Sequence, residues 1–218
     1  LVYDKTHTRY IPDLRGLASQ MPFVATIFVV AGLAALGLPG LSGFVAEVLV
    51  FVGTYAVWNW PTAIAVDSQW NVYTADEWLN RISIFSQDGE YIGKWEEKPG
   101  DGDGEINRPA GLAFDKDDNL YLVDSMNHRV QKFTKDGKFL AKWGTFGSGD
   151  GEFNMPWGIT IDGHGDIFIA DWRNDRIQKF SPDGTFLMKF GTSGSGEGEF
   201  DRPTGVAVDR DGVIYVAD

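Results

Sequence analysis

The hydrophobic and polar positions follow two different patterns along this chain of 218 residues. Residues 16–46 carry no charged side chain, and neither do residues 48–66. From residue 61 onward, short runs of alternating apolar and polar residues are separated by turn-forming Asp and Gly. Alternation predicts half-buried β-strands, whereas long apolar runs predict membrane or buried helices. The pattern therefore predicts a helical segment over residues 1–58 and an all-β domain over residues 59–218.

The uncharged N-terminal stretch contains two apolar runs, Met21–Leu38 and Phe44–Trp58, of 18 and 15 residues. Residues 39–43 between them read PGLSG, a sequence that interrupts a helix. Two transmembrane arrangements fit these lengths: a hairpin of two spans, or one discontinuous helix broken at PGLSG. A buried soluble hairpin is the alternative, but the lack of charge favours contact with a membrane through residues 22–58.

Glu47 is the one acidic residue inside this apolar region. A carboxylate is costly in lipid, so it usually faces water or a protein partner. A place on a proton path is one interpretation of Glu47. The other is a position near the membrane interface, from which the carboxylate reaches water.

The β-domain is built from a repeat whose first strand begins with proline. Proline recurs at 61, 109, 156 and 203, so successive repeats are 48, 47 and 47 residues long. The third copy shows four strand-like runs, GITID, DIFIA, RIQKF and TFLMKF, and an Asp-Gly turn precedes the last. Four antiparallel strands in a repeat of this length are typical of a β-propeller blade. About three and a third blades fit into residues 59–218.

Charge separates the two parts of the chain and restricts the partners. Residues 1–58 hold three basic and three acidic side chains, whereas the remainder holds 16 basic and 28 acidic ones and carries the whole net charge of −12. An acidic domain repels phosphate backbones, so nucleic acid is not an expected partner. The chain has no cysteine, which excludes disulfides and thiolate metal sites.

Two stretches of the N-terminal part resemble a known membrane-protein family. YDKTHTRYIPDLRGLASQMP and AGLAALGLPGLSGFVAEVLVFVGTY are similar to the M-type, antiporter-like proton-translocating subunits of respiratory NADH–quinone oxidoreductase. The resemblance covers residues 1–57 and implies a bacterial inner-membrane location. It also implies that the LPG-x-SGF element breaks a discontinuous helix and that Glu47 lies on the proton-exit side. Redox cofactors would reside in other subunits.

The repeats resemble NHL-repeat propellers. The shared pattern is P-x-G-[ILV]-A-x-D, then [IL]-[YF]-[VI]-[AV]-D-x4-R-[IV]-Q-x-F, an Asp-Gly turn and K-[WF]-G. The first blade departs from it at Ala63, where later blades have glycine, and at Trp70, a turn position held by Gly165 and Gly212 in the third and fourth blades. An incomplete ring leaves open blade edges, so self-association through those edges is expected.

Charged pairs recur five residues apart in each blade. We expect them to be structural, because a pair found in every copy belongs to the blade and not to a site. They are Asp76–Arg81, Asp124–Arg129 and Asp171–Arg176.

Catalysis has little support in the sequence. Only His128 and His164 follow residue 58, which is too few for a multi-histidine metal centre. Both are expected to be surface residues. No catalytic residue, metal or cofactor is predicted.

The loops between the second and third strands of each blade carry large side chains that suggest a recognition surface. The candidate residues on this face are Trp78, Met126, His128, Trp157, Trp172 and Arg173. Packing of each tryptophan on the adjacent blade is the alternative.

The function predicted from these observations is a non-catalytic propeller module, joined to a membrane segment, that binds a protein, peptide or glycan. A fragment of the proton-translocating subunit is the alternative, and a propeller lyase or lactonase is a weaker one. Because the two resemblances meet near residue 58 and neither is complete, we expect a chimeric or truncated chain.

Overall fold

The structure is a computed structural model and describes residues 61–95 and 99–218. The chain divides into two units, Leu1–Gly53 and Thr54–Asp218, and the described residues belong to the second. The predicted membrane segment, with its PGLSG break and Glu47, lies outside the described residues. Among the residues that are described, none forms a helix long and apolar enough to cross a membrane.

The described unit consists of successive blades of antiparallel strands, as predicted. The first blade contains β1 (Pro61–Val66), β2 (Val72–Asp76), β3 (Arg81–Phe85) and β4 (Tyr91–Lys94). The second contains β5 (Pro109–Phe114), β6 (Asn119–Asp124), β7 (Arg129–Thr134) and β8 (Phe139–Trp143). The third contains β9 (Pro156–Ile161), β10 (Ile167–Asp171), β11 (Arg176–Phe180) and β12 (Phe186–Phe190). In each sheet the spatial order of the strands follows the chain.

Shorter elements complete the unit. A parallel pair, β13 (Thr192–Ser193) and β14 (Glu199–Phe200), lies in the crossover after the third blade. An antiparallel pair, β15 (Gly205–Val208) and β16 (Ile214–Ala217), begins the fourth blade. Short 3-10 turns at Ser125–Asn127 and Trp172–Asn174 connect the second and third strands of blades two and three.

The turn between the first two strands of each blade is fixed by its leading aspartate. In the second blade, Asp115 Oδ1 accepts hydrogen bonds from the N–H groups of Asp117 at 2.9 Å and Asn119 at 2.8 Å. Asp67, Asp162 and Asp209 accept the equivalent two bonds in the other blades. An aspartate that bonds its own backbone stabilises a tight turn, which explains the recurrence of this residue.

The hydrophobic core lies between neighbouring blades. One cluster joins Ile82 and Trp95 of the first blade to Leu120 and Phe133 of the second. The next joins Val123 and Val130 of the second blade to Ile169 and Phe180 of the third. Each interior strand therefore buries side chains on both faces of its sheet, and the blades stabilise one another by stacking.

Aromatic side chains reach from each blade to the Asp-Gly turn of the next. Tyr73 donates its hydroxyl to the carbonyl of Lys135 at 3.3 Å, and Tyr121 does the same to Pro182 at 3.2 Å. Burial, with a smaller contribution from nearby aspartates, raises the pKa of Tyr73 to about 12. Trp95 packs against Gly137 in the same region, where a Cβ on that glycine would lie 3.0 Å from the indole ring.

This packing predicts different costs for two glycines in equivalent turns. Gly89 and Gly137 have φ of 81° and 84°, but a Cβ at Gly89 would meet nothing within 4 Å. Gly89→Ala should therefore lower the free energy of unfolding by only about 1 kcal/mol, the cost of a left-handed alanine. Gly137→Ala should lower it by about 2–3 kcal/mol, because the new Cβ also displaces Trp95. Urea unfolding of the full chain measures both. Equal losses would contradict a role for Trp95 in blade contact.

Candidate functional site

One end of the blades gathers the residues that the sequence singled out. The proline that opens each blade lies opposite the aspartate that ends the second strand, as in the pairs Pro109–Asp124 and Pro156–Asp171. The start of the first strand and the loop between strands two and three therefore lie at the same end. We call this end the loop face. It consists of residues 76–81, 124–129 and 171–176, together with the end of each crossover that leads into the proline of the next blade.

The recurring charged pairs lie at this face, where the arginines of the second and third blades also bind the crossover before their own blade. Arg129 Nε lies 2.7 Å from Asp124 Oδ2. Its Nη1 donates to the carbonyl of Asp101 at 2.6 Å, and its Nη2 donates to those of Gly102 and Glu105, both at 2.8 Å. Arg176 repeats this arrangement in the third blade. Its Nε lies 2.8 Å from Asp171 Oδ2, and its other nitrogens donate to three carbonyls of the crossover between the second and third blades. The guanidinium therefore joins two blades.

Two buried glutamines complete these contacts, and the sequence reasoning had given them no role. Gln178 Nε2 donates to the carbonyl of Glu152 at 2.7 Å and to Asp171 Oδ2 at 3.0 Å, while its Oε1 accepts the N–H of Gly151 at 3.0 Å. Gln131 makes the same three kinds of bond one blade earlier. The glutamine two residues after the arginine in the second and third blades was the available signal in the sequence.

Together these side chains form what we call the blade clip. Its members are Asp124, Asn127, Arg129 and Gln131 in the second blade and Asp171, Asn174, Arg176 and Gln178 in the third. The two asparagines donate to the crossover carbonyls of Gly100 and Gly147 at 2.7 and 2.9 Å. Burial raises the pKa of both clip aspartates, and the hydrogen bonds from their asparagine, arginine and backbone partners oppose that rise.

The first blade has a reduced version of this arrangement. Leu79 and Ser83 stand where later blades have the clip asparagine and glutamine. Arg81 Nη2 lies 4.0 Å from Asp76 Oδ2. Asp76 Oδ1 instead accepts the N–H groups of Trp78 and Leu79, at 3.1 and 3.0 Å. The first-blade carboxylate therefore binds its own loop.

A second set of contacts, the loop latch, joins each loop to the crossover that follows it. Asn80 Oδ1, His128 Nδ1 and Asp175 Oδ1 accept the N–H of the residue preceding the next blade's proline, at 2.6, 3.0 and 2.9 Å. All three acceptors have a positive φ, between 48° and 54°. The positions are equivalent, but the side chains are an amide, an imidazole and a carboxylate.

His128 is thus only partly exposed and engaged through its ring, which differs from the expected surface histidine. Its ring centroid lies 4.9 Å from that of Phe146, and burial lowers the pKa of the imidazole. Nearby Asp171 and Asp124 oppose this shift, while Arg173 adds to it. A neutral ring with an unprotonated Nδ1 is the form that accepts the Met155 N–H.

The predicted ligand-face residues fall into two groups. Trp78 is 62% exposed, with the Arg108 guanidinium 4.8 Å from its ring centroid. Met126 is also exposed. Trp157 and Trp172 instead lie together, with ring centroids 5.9 Å apart. The sequence-predicted set therefore does not form one cluster, and the tryptophan pair at the third blade is its most compact part.

A pocket of about 460 Å³ opens beside Trp172. Its lining residues are Asn154, Trp172, Arg173, Asp175, Ser193, Asp201 and Arg202. Arg173 and Arg202 Cζ atoms lie 5.2 and 5.9 Å from the Trp172 ring centroid. Arg202 and Ser193 were not predicted, because they come from the following crossover, and only the fold brings them to the loop.

A second groove, of about 340 Å³, runs between the first strands of the blades. Its walls are mainly apolar or glycine, among them Ile64, Leu112 and Val206, and Trp157 also lines it. Within residues 61–95 and 99–218, no group of three or more His, Cys, Asp or Glu side chains is arranged to hold a metal ion.

Family comparisons confirm both resemblances predicted from the sequence. Residues 1–69 match the family described as NADH:quinone oxidoreductase/Mrp antiporter, TM. Residues 102–195 match the SMP-30/Gluconolactonase/LRE-like region, and residues 200–218 match the NHL repeat. The match to the antiporter family extends past the start of β1, beyond the boundary predicted near residue 58.

Curated relatives match the N-terminal part. NAD(P)H-quinone oxidoreductase chain 4 1 of Synechococcus elongatus is 51% identical over 53 residues, which is 24% of this chain and 10% of the relative. NADH-quinone oxidoreductase subunit M of Rhodobacter capsulatus is 37% identical over 87 residues, which is 40% of this chain and 17% of the relative. The chain thus spans only a small part of these relatives.

Solved structures match the β-domain. A streptogramin B lyase superposes with a TM-score of 0.55 at 21% identity, covering 72% of this chain and 47% of the other. A protein of unknown function from Bacteroides thetaiotaomicron gives 0.58 at 23%, covering 72% and 44%. A catalytically inactive virginiamycin B lyase from Staphylococcus aureus with quinupristin gives 0.54 at 21%, covering 72% and 48%. Identities this low establish the propeller-like fold alone.

The blade clip predicts a large cost for replacing its glutamine by the first-blade residue. Gln178→Ser removes three buried hydrogen bonds and leaves the Glu152 carbonyl and the Gly151 N–H without this partner, so the full chain should lose about 2–3 kcal/mol of stability. Urea unfolding measures the loss. Gln69→Ser, at an exposed turn residue, is the control and should change stability by less than about 0.5 kcal/mol. A similarly small loss for Gln178→Ser would contradict the clip.

The loop latch predicts a pH dependence that belongs to His128. Because its pKa is lowered in the folded chain, the unfolded chain takes up a proton first, and stability falls as the pH drops below about 6.5. His128→Asn, which copies the latch residue of the first blade, should remove this part of the slope between pH 8 and pH 5.5. Urea unfolding at both pH values tests it, with His164→Asn at an exposed turn as the control. Equal slopes in the His128 variant and wild type would contradict the latch.

Proposed function

We propose that the β-domain is a non-catalytic binding module that holds a protein, peptide or glycan ligand on its loop face. The observation that carries this proposal is a cluster of aromatic and arginine side chains at positions where the repeat is broken. Residues that maintain the blades recur from copy to copy. Trp157, Trp172 and Arg173 at the third blade do not recur, so blade architecture does not require them.

Three positions illustrate the break. Trp172 is equivalent to Glu77 and Ser125 of the earlier blades, and Trp157 is equivalent to Ala110 and Thr204. Arg173 is equivalent to Trp78 and Met126. The clip residues at the neighbouring positions remain Asp and Arg throughout. Selective replacement beside a constant framework is the arrangement expected of a ligand site.

The physical character of the cluster supports recognition. Tryptophan and arginine contribute most strongly to binding when they lie in a concave surface. The pocket beside Trp172, at about 460 Å³, is within the range of small-ligand sites. Trp157 also borders the apolar groove between the first strands, so polar and apolar surfaces adjoin at one place.

Lyase or lactonase chemistry has weaker support. The lyases among the similar structures share the fold at low identity, and fold alone does not establish an activity. His128 lies at the loop face, whereas His164 lies in the β9–β10 turn at the opposite end of its blade. Two histidines at opposite ends do not supply one acid–base site.

A second candidate function concerns the N-terminal part, where residues 1–69 match a proton-antiporter family. We propose that residues 22–58 attach the chain to a membrane. Glu47 would conduct protons only together with the remaining helices of a complete subunit, because the chain covers about a tenth of such a relative. Attachment of the binding module to a membrane is therefore the role that combines both parts.

The loop-face proposal predicts that one tryptophan, the half-buried Trp172, matters for binding and that another, the exposed Trp70, does not. Ligands selected by the full chain from peptide and glycan arrays should lose at least tenfold in affinity with Trp172→Ala, because the pocket loses its aromatic wall. Trp70→Gly, at the opposite end of the first blade, introduces the residue found in the third and fourth blades and should bind like wild type. Array ligands that bind both variants equally would contradict the proposed face.

A further inference from the structure

Two guanidinium groups converge on one indole ring at the loop face. The Cζ atoms of Arg173 and Arg202 lie 5.2 and 5.9 Å from the ring centroid of Trp172, and both side chains line the same pocket. The ring attracts each cation through its negative face. The two cations repel one another, so a shared anion between them would lower the electrostatic energy.

The nearby carboxylates neutralise this pair only in part. In the described part of the chain, no carboxylate oxygen lies within the 4.0 Å ion-pair distance of the Arg173 guanidinium. Arg202 Nε lies 3.6 Å from Asp201 Oδ1, but both side chains are well exposed, and such surface pairs contribute little. Asp175 Oδ1 is engaged by the backbone N–H of Arg202 as the latch acceptor.

We propose that this pocket binds the part of the loop-face ligand that carries a single carboxylate on a flat apolar group. This inference rests on the proposed loop-face function and names its ligand class. The planar arginine fork matches carboxylate geometry, and the Trp172 ring offers a flat surface for the apolar part. Asn154 and Ser193, in the same lining, add an amide and a hydroxyl that can hydrogen-bond a polar substituent.

Charge selects a single carboxylate over a polyanion. The chain carries a net charge of −12, all of it from the residues after 58, so the long-range field of the β-domain repels nucleic acid and other polyphosphates. A monoanion experiences only a small part of this repulsion. The two arginines act at short range, inside the screening length, where they dominate the interaction with one carboxylate.

Three probes of the same size separate the contributions of charge and shape. The full chain is titrated with phenylacetate, its neutral analogue phenylacetamide and the cation phenethylamine, and binding is followed by the tryptophan indole N–H signals in NMR spectra. Phenylacetate should shift the Trp172 signal and bind at least tenfold more tightly than phenylacetamide. Phenethylamine should not shift that signal.

Matched arginine variants test the same contacts. Arg173→Gln and Arg202→Gln should each weaken phenylacetate binding about tenfold and bring it close to that of phenylacetamide. Arg210→Gln, in the turn between β15 and β16 at the opposite end of the blade, removes the same charge and should bind phenylacetate as wild type does.

The possible failures are distinct. Equal binding of phenylacetate and phenylacetamide at Trp172 would overturn the carboxylate inference and leave the loop-face proposal standing. No shift of Trp172 by any probe, while array ligands still require Trp172, would also overturn the carboxylate inference alone. If replacing Trp172, Arg173 or Arg202 changes the affinity of neither the array ligands nor the probes, both proposals would be overturned together.

Discussion

The fold depends on buried carboxylates whose hydrogen-bond partners come from two different blades. Asp124 and Asp171 are fully buried, and an unpaired charge there would cost several kcal/mol. Each is satisfied by an arginine, a glutamine and an asparagine of its own blade, and by a backbone N–H of the preceding crossover. The crossover must therefore be in place before the carboxylate is satisfied. Blade order, crossover conformation and the loop face all follow from this requirement.

Local features of the fold could be predicted because they are encoded within a few residues. Strand alternation, the aspartate turns and the Asp-Gly turns are set by neighbours in the sequence, and the five-residue spacing places Asp171 opposite Arg176 across a hairpin. The acceptors of the arginine could not be predicted. The carbonyls that Arg176 binds lie 24 to 28 residues earlier, in a glycine-rich stretch without a distinctive side-chain pattern. Sequence therefore indicated a hairpin pair, whereas the structure has a contact between blades.

The candidate site divides in the same way. Trp172 was predicted because a large aromatic side chain stands out in a polar loop, and Trp157 because it lies at the entry to the same blade, beside that loop. Arg202 was not, since it precedes a blade-opening proline and an arginine, Arg108, holds the same position two repeats earlier. Arg202 differs from Arg108 in its neighbours. Arg202 lies over the Trp172 ring together with Arg173, whereas Arg108 is the only arginine over the Trp78 ring among the described contacts. The position of a residue in the repeat therefore predicts its role in the blade. The composition of the pocket depends on which side chains the fold brings together from a loop and the crossover that follows it.

The clip also gives the array a direction. Each clip binds the crossover before its blade, whereas each latch binds the crossover after it. The two kinds of contact therefore stabilise opposite sides of a blade. Leu79 and Ser83 remove two donors from the first blade's clip, but Asn80 keeps its latch to Arg108. In a nearest-neighbour array the coupling of the first blade to the second therefore rests on this latch and on the clip of the second blade. The pocket beside Trp172 lies further along the array, between the loop of the third blade and the crossover that follows it, where the latch from Asp175 fixes the N–H of Arg202.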